Sequence, residues 1–81
     1  MYEYEYMISI VADKEIYYKQ CAALEIQIPG LQKLRELHDV DGGIYQYYQY
    51  EGKNICVLYD RYLNDVHIKS EIPLELYLEK E

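Results

Sequence analysis

The sequence predicts an α+β, two-layer domain, an antiparallel sheet of four to five strands with one or two helices packed on one face, in the order β-α-(α)-β-β-β-β. Three observations carry this expectation. The N-terminal segment alternates apolar and polar residues at a period of two, the spacing of a strand with unlike faces. A stretch with apolar residues three and four positions apart follows, as on a helix. The second half holds short runs rich in Tyr and β-branched residues between turn residues, as in a meander that needs only short connections.

In the first strand, Tyr2, Tyr4, Tyr6, Ile8 and Ile10 alternate with Glu3, Glu5, Met7, Ser9 and Val11. Asp13 offers an N-cap for a helix over about 13 to 26, along which Tyr17, Cys21, Leu24 and Ile28 recur at helical spacing. Leu24, Ile26 and Ile28 also alternate with Glu25 and Gln27, so 24–28 can be read as extended too. Pro29 and Gly30 interrupt this segment. Leu31, Leu34 and Leu37 then recur every third residue, which predicts a short second helix ending at Gly42 and Gly43.

Segments 44–50 and 55–62 form the expected hairpin, joined by Glu51, Gly52, Lys53 and Asn54. Within it, Tyr45 and Tyr47 fall on one face and Tyr48 and Tyr50 on the other, unless a bulge at 47 and 48 brings all four together. Asn64 and Asp65 make a further turn, 66–69 a short strand, and Leu74, Leu76 and Leu78 a last strand after Pro73.

The 81 residues show no composition shift and are expected to form one domain, 1–81. Size scaling leaves roughly 5,200 Å² of that domain exposed, so its core is thin. With 51% hydrophobic and 28% charged residues, the chain is too apolar for disorder and too interrupted by charge for a membrane span. Glu3 and Glu5 stand where a leader would carry basic residues, and Cys21 and Cys56 are too few for a disulfide framework. Both features imply a reducing, cytoplasmic setting.

Chemistry is sparse. The hydroxyl and thiol candidates are Ser9, Ser70, Cys21 and Cys56, and none sits on the strained turn or in the cationic surroundings that activate a nucleophile. His67, between Val66 and Ile68, reads as a surface residue on a polar face. His38, Asp39 and Asp41 are cation-ligand types ahead of two glycines. A calcium loop started there would have Gly43 at its fifth position and Tyr50 at its twelfth, so the run reads as a solvated helix end. The four glycines form no phosphate cradle. No enzyme, cofactor or metal site is expected. Gly43, Ile44 and Tyr45 with Leu58 and Tyr59 resemble the opening hairpin of the GIY-YIG nucleases. The second motif there would need Tyr-Ile-Gly where this chain has Leu58, Tyr59 and Asp60, so the likeness stops at the hairpin.

Fifteen acidic against eight basic residues give a net charge of −7, a field that repels nucleic acid and anionic lipid and admits a basic partner. All twelve aromatic residues are Tyr. Tyrosine supplies rigid contact area with few torsions and a hydroxyl, and buried phenols need hydrogen-bond partners, so several should line a sheet face. The expected contact residues on the hairpin are Tyr45, Tyr47, Tyr48, Tyr50, Glu51, Asp60 and Tyr62. Glu75, Tyr77 and Glu79 join them from the last strand. The resulting expectation is a small acidic non-enzymatic protein that inhibits or neutralises a basic protein, nucleic-acid-handling proteins included. Immunity proteins, antitoxins and anti-CRISPR-like counter-defence inhibitors act in this manner, some by mimicking nucleic-acid charge. The alternative is a self-associating domain, such as a homodimer, that covers the same tyrosines with its own copy.

Overall fold

A computed structural model describes residues 2–77 of the protein. Its elements are β1 (Tyr4–Ser9), α1 (Lys14–Gln27), β2 (Gln32–His38), β3 (Ile44–Tyr50), β4 (Lys53–Asp60), β5 (Asp65–Ser70) and a 3-10 turn, Glu75–Tyr77. All neighbouring strands pair antiparallel, in the spatial order β1-β5-β4-β3-β2, and α1 packs against β4. The fold is α+β, a five-stranded antiparallel sheet with one helix.

The order explains the helix length. β1 and β2 are consecutive in the chain but lie at opposite edges, so α1 must carry the chain across the sheet. At about 1.5 Å per residue a 14-residue helix spans about 21 Å, and five strands about 4.8 Å apart span about 19 Å. Asp13 starts the helix, its carboxylate accepting from the N–H groups of Glu15 and Ile16. Tyr17, Cys21, Leu24 and Ile28 form the buried stripe, while Ile26 is 81% exposed, which decides residues 24–27 for helix over strand. The Ile28 N–H closes onto the Leu24 carbonyl, and Gly30 turns the chain at φ 83°. Against this stripe the sheet sets Ile44, Tyr48, Ile55, Val57, Tyr59, Val66 and Ile68, and Leu74 seals one end.

The second helix is not formed: residues 32–38 are the edge strand β2. Lys33 opposes Tyr48 and Glu36 opposes Gln46, so Leu34 and Arg35 together oppose Tyr47 as a bulge. A bulge adds one residue to the period of two, which is how Leu34 and Leu37 keep a spacing of three in a strand. Buried Gln46 stabilises it, its side-chain amide donating to the carbonyls of Leu34 (3.0 Å) and Arg35 (3.2 Å).

The β3–β4 hairpin closes on a tighter turn than expected. Glu51 at φ 48° and Gly52 at φ 80° form a two-residue turn with both residues left-handed, the twist hairpins favour. Pairing runs unbroken from Ile44↔Tyr59 to Tyr50↔Lys53, so no bulge gathers the four tyrosines. Nor do residues 74–77, the described part of the expected last strand, form one. The Leu74 N–H donates to the Tyr6 hydroxyl and its side chain is fully buried, which draws the chain over the core and into a 3-10 turn. Leu78 and Glu79 lie outside the described residues.

Candidate functional site

One face of the sheet is covered by α1, and the other has no covering element among the described residues. Directly opposed residues share a face, so the register assigns the uncovered one. It carries Tyr45 and Tyr47 of β3, Cys56, Leu58 and Asp60 of β4, Asp65, His67 and Lys69 of β5, and Met7 of β1. Leu37, opposite Tyr45, extends it to the β2 edge.

Tyr45 and Tyr47 stand two residues apart, half-buried at their bases. The Arg35 guanidinium lies 5.3 Å from the Tyr47 ring centroid, a cation–π contact. Tyr2, Leu34, Arg35 and Asn54 line a cleft of about 230 Å³ beside Tyr47. Around Tyr45 the surroundings are negative. Its hydroxyl reaches 3.5 Å from the Asp39 carboxylate, and burial together with the fields of Asp39, Asp41 and Asp60 pushes the phenol above the usual tyrosine value. Gly43 allows the ring this position, since a Cβ there would stand 2.8 Å from the Tyr45 hydroxyl oxygen.

Asp39 and Asp41 are not cation ligands held open in a loop. Asp39 accepts from the Val40 N–H and Asp41 from the Gly43 N–H, which folds the β2–β3 connection, and His38 pairs with Glu36 at 3.0 Å. Among the described residues no Lys or Arg forms an ion pair with Asp39, Asp41, Asp60 or Asp65.

The expected contact residues divide. Tyr45, Tyr47 and Asp60 share the uncovered face, Glu51 occupies an exposed turn, and Tyr62 is 89% exposed in the β4–β5 turn. Tyr48 is a correction: it is 0% exposed, pointing at α1, where its hydroxyl donates to Glu25. Burial and that carboxylate push its phenol far up. Tyr50 and Tyr77 pack partly against the same core, and Glu75 is held by the Tyr6 hydroxyl at 2.8 Å. Glu79 lies outside the described residues.

His67 is the second correction. It is 2% exposed, because it lies mid-strand in β5 between β1 and β4, with Met7 on one side and Leu58 on the other. Its Nδ1 donates to Asp65 Oδ1 at 2.7 Å, and Asp60 joins them, the three donor atoms lying within 4.8 Å of one another. These are the residues that could hold a cation. The signal for them is the spacing Asp65-x-His67, which puts both on one face of a strand, with Asp60 across a short turn. Burial pushes the thiols of Cys21 up to about 11 and Cys56 up to about 12, so neither is a nucleophile at neutral pH.

No family model, curated protein or solved structure matches the chain. Among the described residues, no helix is long and apolar enough to cross a membrane.

Proposed function

We propose that the protein is a non-enzymatic binding protein that inhibits or neutralises a basic protein partner through the uncovered face of its sheet. The observation that carries this reading is the pairing of two half-exposed tyrosines, Tyr45 and Tyr47, with Asp39, Asp41 and Asp60, carboxylates without a Lys or Arg ion pair among the described residues, at one corner of that face. Arg and Lys of a partner would meet charge-assisted hydrogen bonds at the carboxylates and the ring faces of the tyrosines. The net charge of −7 would speed encounter with such a partner. Inhibition of a nucleic-acid-handling protein, as by an immunity protein, antitoxin or anti-CRISPR-like inhibitor, is the specific form this proposal takes.

The test is capture from the native host or its competitor, with wild type against Tyr47→Ala and Asp39→Asn, both checked for folding by circular dichroism. A basic protein retained by wild type, lost from the variants, and associating more slowly as salt rises is the expected result. Association insensitive to salt, or unaffected by both variants, would refute it. One observation favours self-association as a second reading: all seven residues of β2 are exposed at a sheet edge. A dimer at micromolar concentration by light scattering would support that reading.

A further inference from the structure

We infer that a second copy of this chain covers the uncovered face of the sheet, stacked face to face about a two-fold axis that crosses the strands. The register lays that face out in rows about 7 Å apart, because neighbours on one side of a strand are two residues apart. From the β2 edge to the β1 edge, the first row runs Arg35, Tyr47, Cys56, Lys69 and Glu5. The middle row is Leu37, Tyr45, Leu58, His67 and Met7. The third holds Asp39, whose N–H donates to the Gly43 carbonyl, and then Asp60 and Asp65. Glu5 apart, cations lie on one side of the middle row and carboxylates on the other.

Of the two ways to stack these rows about a two-fold axis, one pairs opposite charges. An axis along the middle row lays each strand over its own copy and exchanges the outer rows. Arg35 then meets Asp39 of the second copy, and Lys69 meets the Asp60–Asp65 end of the second copy's β4–β5 hairpin. An axis along the strands would set the acidic row on itself, a costly juxtaposition of like charges. Aligned sheets keep their strands within about 30° of one another, so the rows stay in contact.

These charges have no ion pair within the chain. Among the described residues no Asp or Glu pairs with Arg35 or Lys69, and no Lys or Arg with Asp39, Asp60 or Asp65. Asp60 and Asp65 also oppose each other directly across the β4–β5 ladder, where like charges repel, and Lys69 of the second copy would offset that. In the middle row Met7 is 59% and Leu37 44% exposed, apolar surface that the copy would remove from water. Five strands and three rows make a face of about 24 Å by about 20 Å, which buries roughly 1,000 Å² over both copies. Specific interfaces begin near that area, so the dimer is weak and exchangeable. The copy and the proposed basic partner would occupy the face in turn, and the inference does not rest on that partner.

Sedimentation velocity of the purified full chain, from about 1 to about 500 µM, tests it. A monomer–dimer equilibrium with Kd of about 10–100 µM is expected, weakening as salt rises. Arg35→Glu and Asp39→Lys, both checked for folding by circular dichroism, should each weaken it by about tenfold or more. An equimolar mixture of the two should recover association, because both contacts of the mixed dimer again join opposite charges. Lys69→Glu separates this face from the β2 edge: it lies in β5, with β4 and β3 between, and should weaken the stacked dimer by about tenfold. Should Asp39→Lys fail to fold, Lys69→Glu decides. A monomer at every concentration, a mixture no better than its components, or a dimer that Lys69→Glu leaves intact would overturn the inference. Since the purified chain is measured alone, each of these outcomes leaves capture of a basic partner to its own test.

Discussion

Tyr47 and Tyr48 are neighbours in β3 on opposite faces of the sheet, and replacing each with Ala should separate binding from stability. Tyr48 is fully buried, and truncating a buried aromatic residue costs about 3–5 kcal/mol. A domain of 81 residues holds about 4–12 kcal/mol in total, so Tyr48→Ala should sit near the edge of folding. Tyr47→Ala loses the Arg35 contact and some cross-strand packing, about 1 kcal/mol. Tyr48→Phe isolates the hydroxyl. Glu25 stays reachable by water and by Lys33 at 3.3 Å, so the cost should be about 1–1.5 kcal/mol. Equilibrium urea denaturation resolves the three. With m near 1 kcal/mol/M, the midpoint should fall by about 3–5 M for Tyr48→Ala and about 1 M for each of the others. Equal losses for Tyr47→Ala and Tyr48→Ala would refute the face assignment on which the proposed docking surface depends.

Asp13→Ala removes the cap of α1 and should cost about 1 kcal/mol, read as a lower melting temperature by circular dichroism. In the β3–β4 turn, Glu51→Asn should stabilise by a few tenths of a kcal/mol because Asn tolerates φ near 48°. Gly52→Val should cost about 1 kcal/mol or more at φ 80°, both measured by urea midpoint. Cys21 and Cys56 should react with a disulfide reagent at pH 8 only as fast as the protein opens, and rapid labelling of the native chain would contradict their burial. Because burial raises both thiols in the folded state, their contribution to stability is full below about pH 9. It falls as pH rises towards 11–12, where the unfolded chain has already released those protons; an unfolding free energy flat from pH 9 to 11 would refute this.

Local signals make much of the fold legible in the sequence. Alternation marks β1, runs rich in Tyr and β-branched residues mark β3 and β4, the Asp13 cap and the 17–21–24–28 stripe mark α1, and Gly52 marks the β3–β4 turn. β2 is misread because a bulge at Leu34 and Arg35 imposes a spacing of three that mimics a helical turn. The proposed docking face is half legible for a different reason. After Ile44, β3 carries only Tyr and Gln on both sides, so those residues alone do not say which side a single helix will cover. That choice is made by pairing and by α1, and it sends Tyr48 inward and Tyr47 outward. His67 is hidden likewise, since its burial comes from sitting in β5 between two neighbours rather than from its own flanks.

The passage of α1 from one margin of the sheet to the other also bears on how the chain assembles. β2 to β5 are joined by successive short hairpins, and such contacts form in microseconds. β1 instead joins β5 from the far end of the polypeptide, Tyr4 meeting Ser70, after the largest loop has closed. The final zipper tooth is therefore the N-terminal strand, and until it arrives β5 offers a vacant ladder to any other extended segment, including β1 of a sister molecule, as in strand exchange.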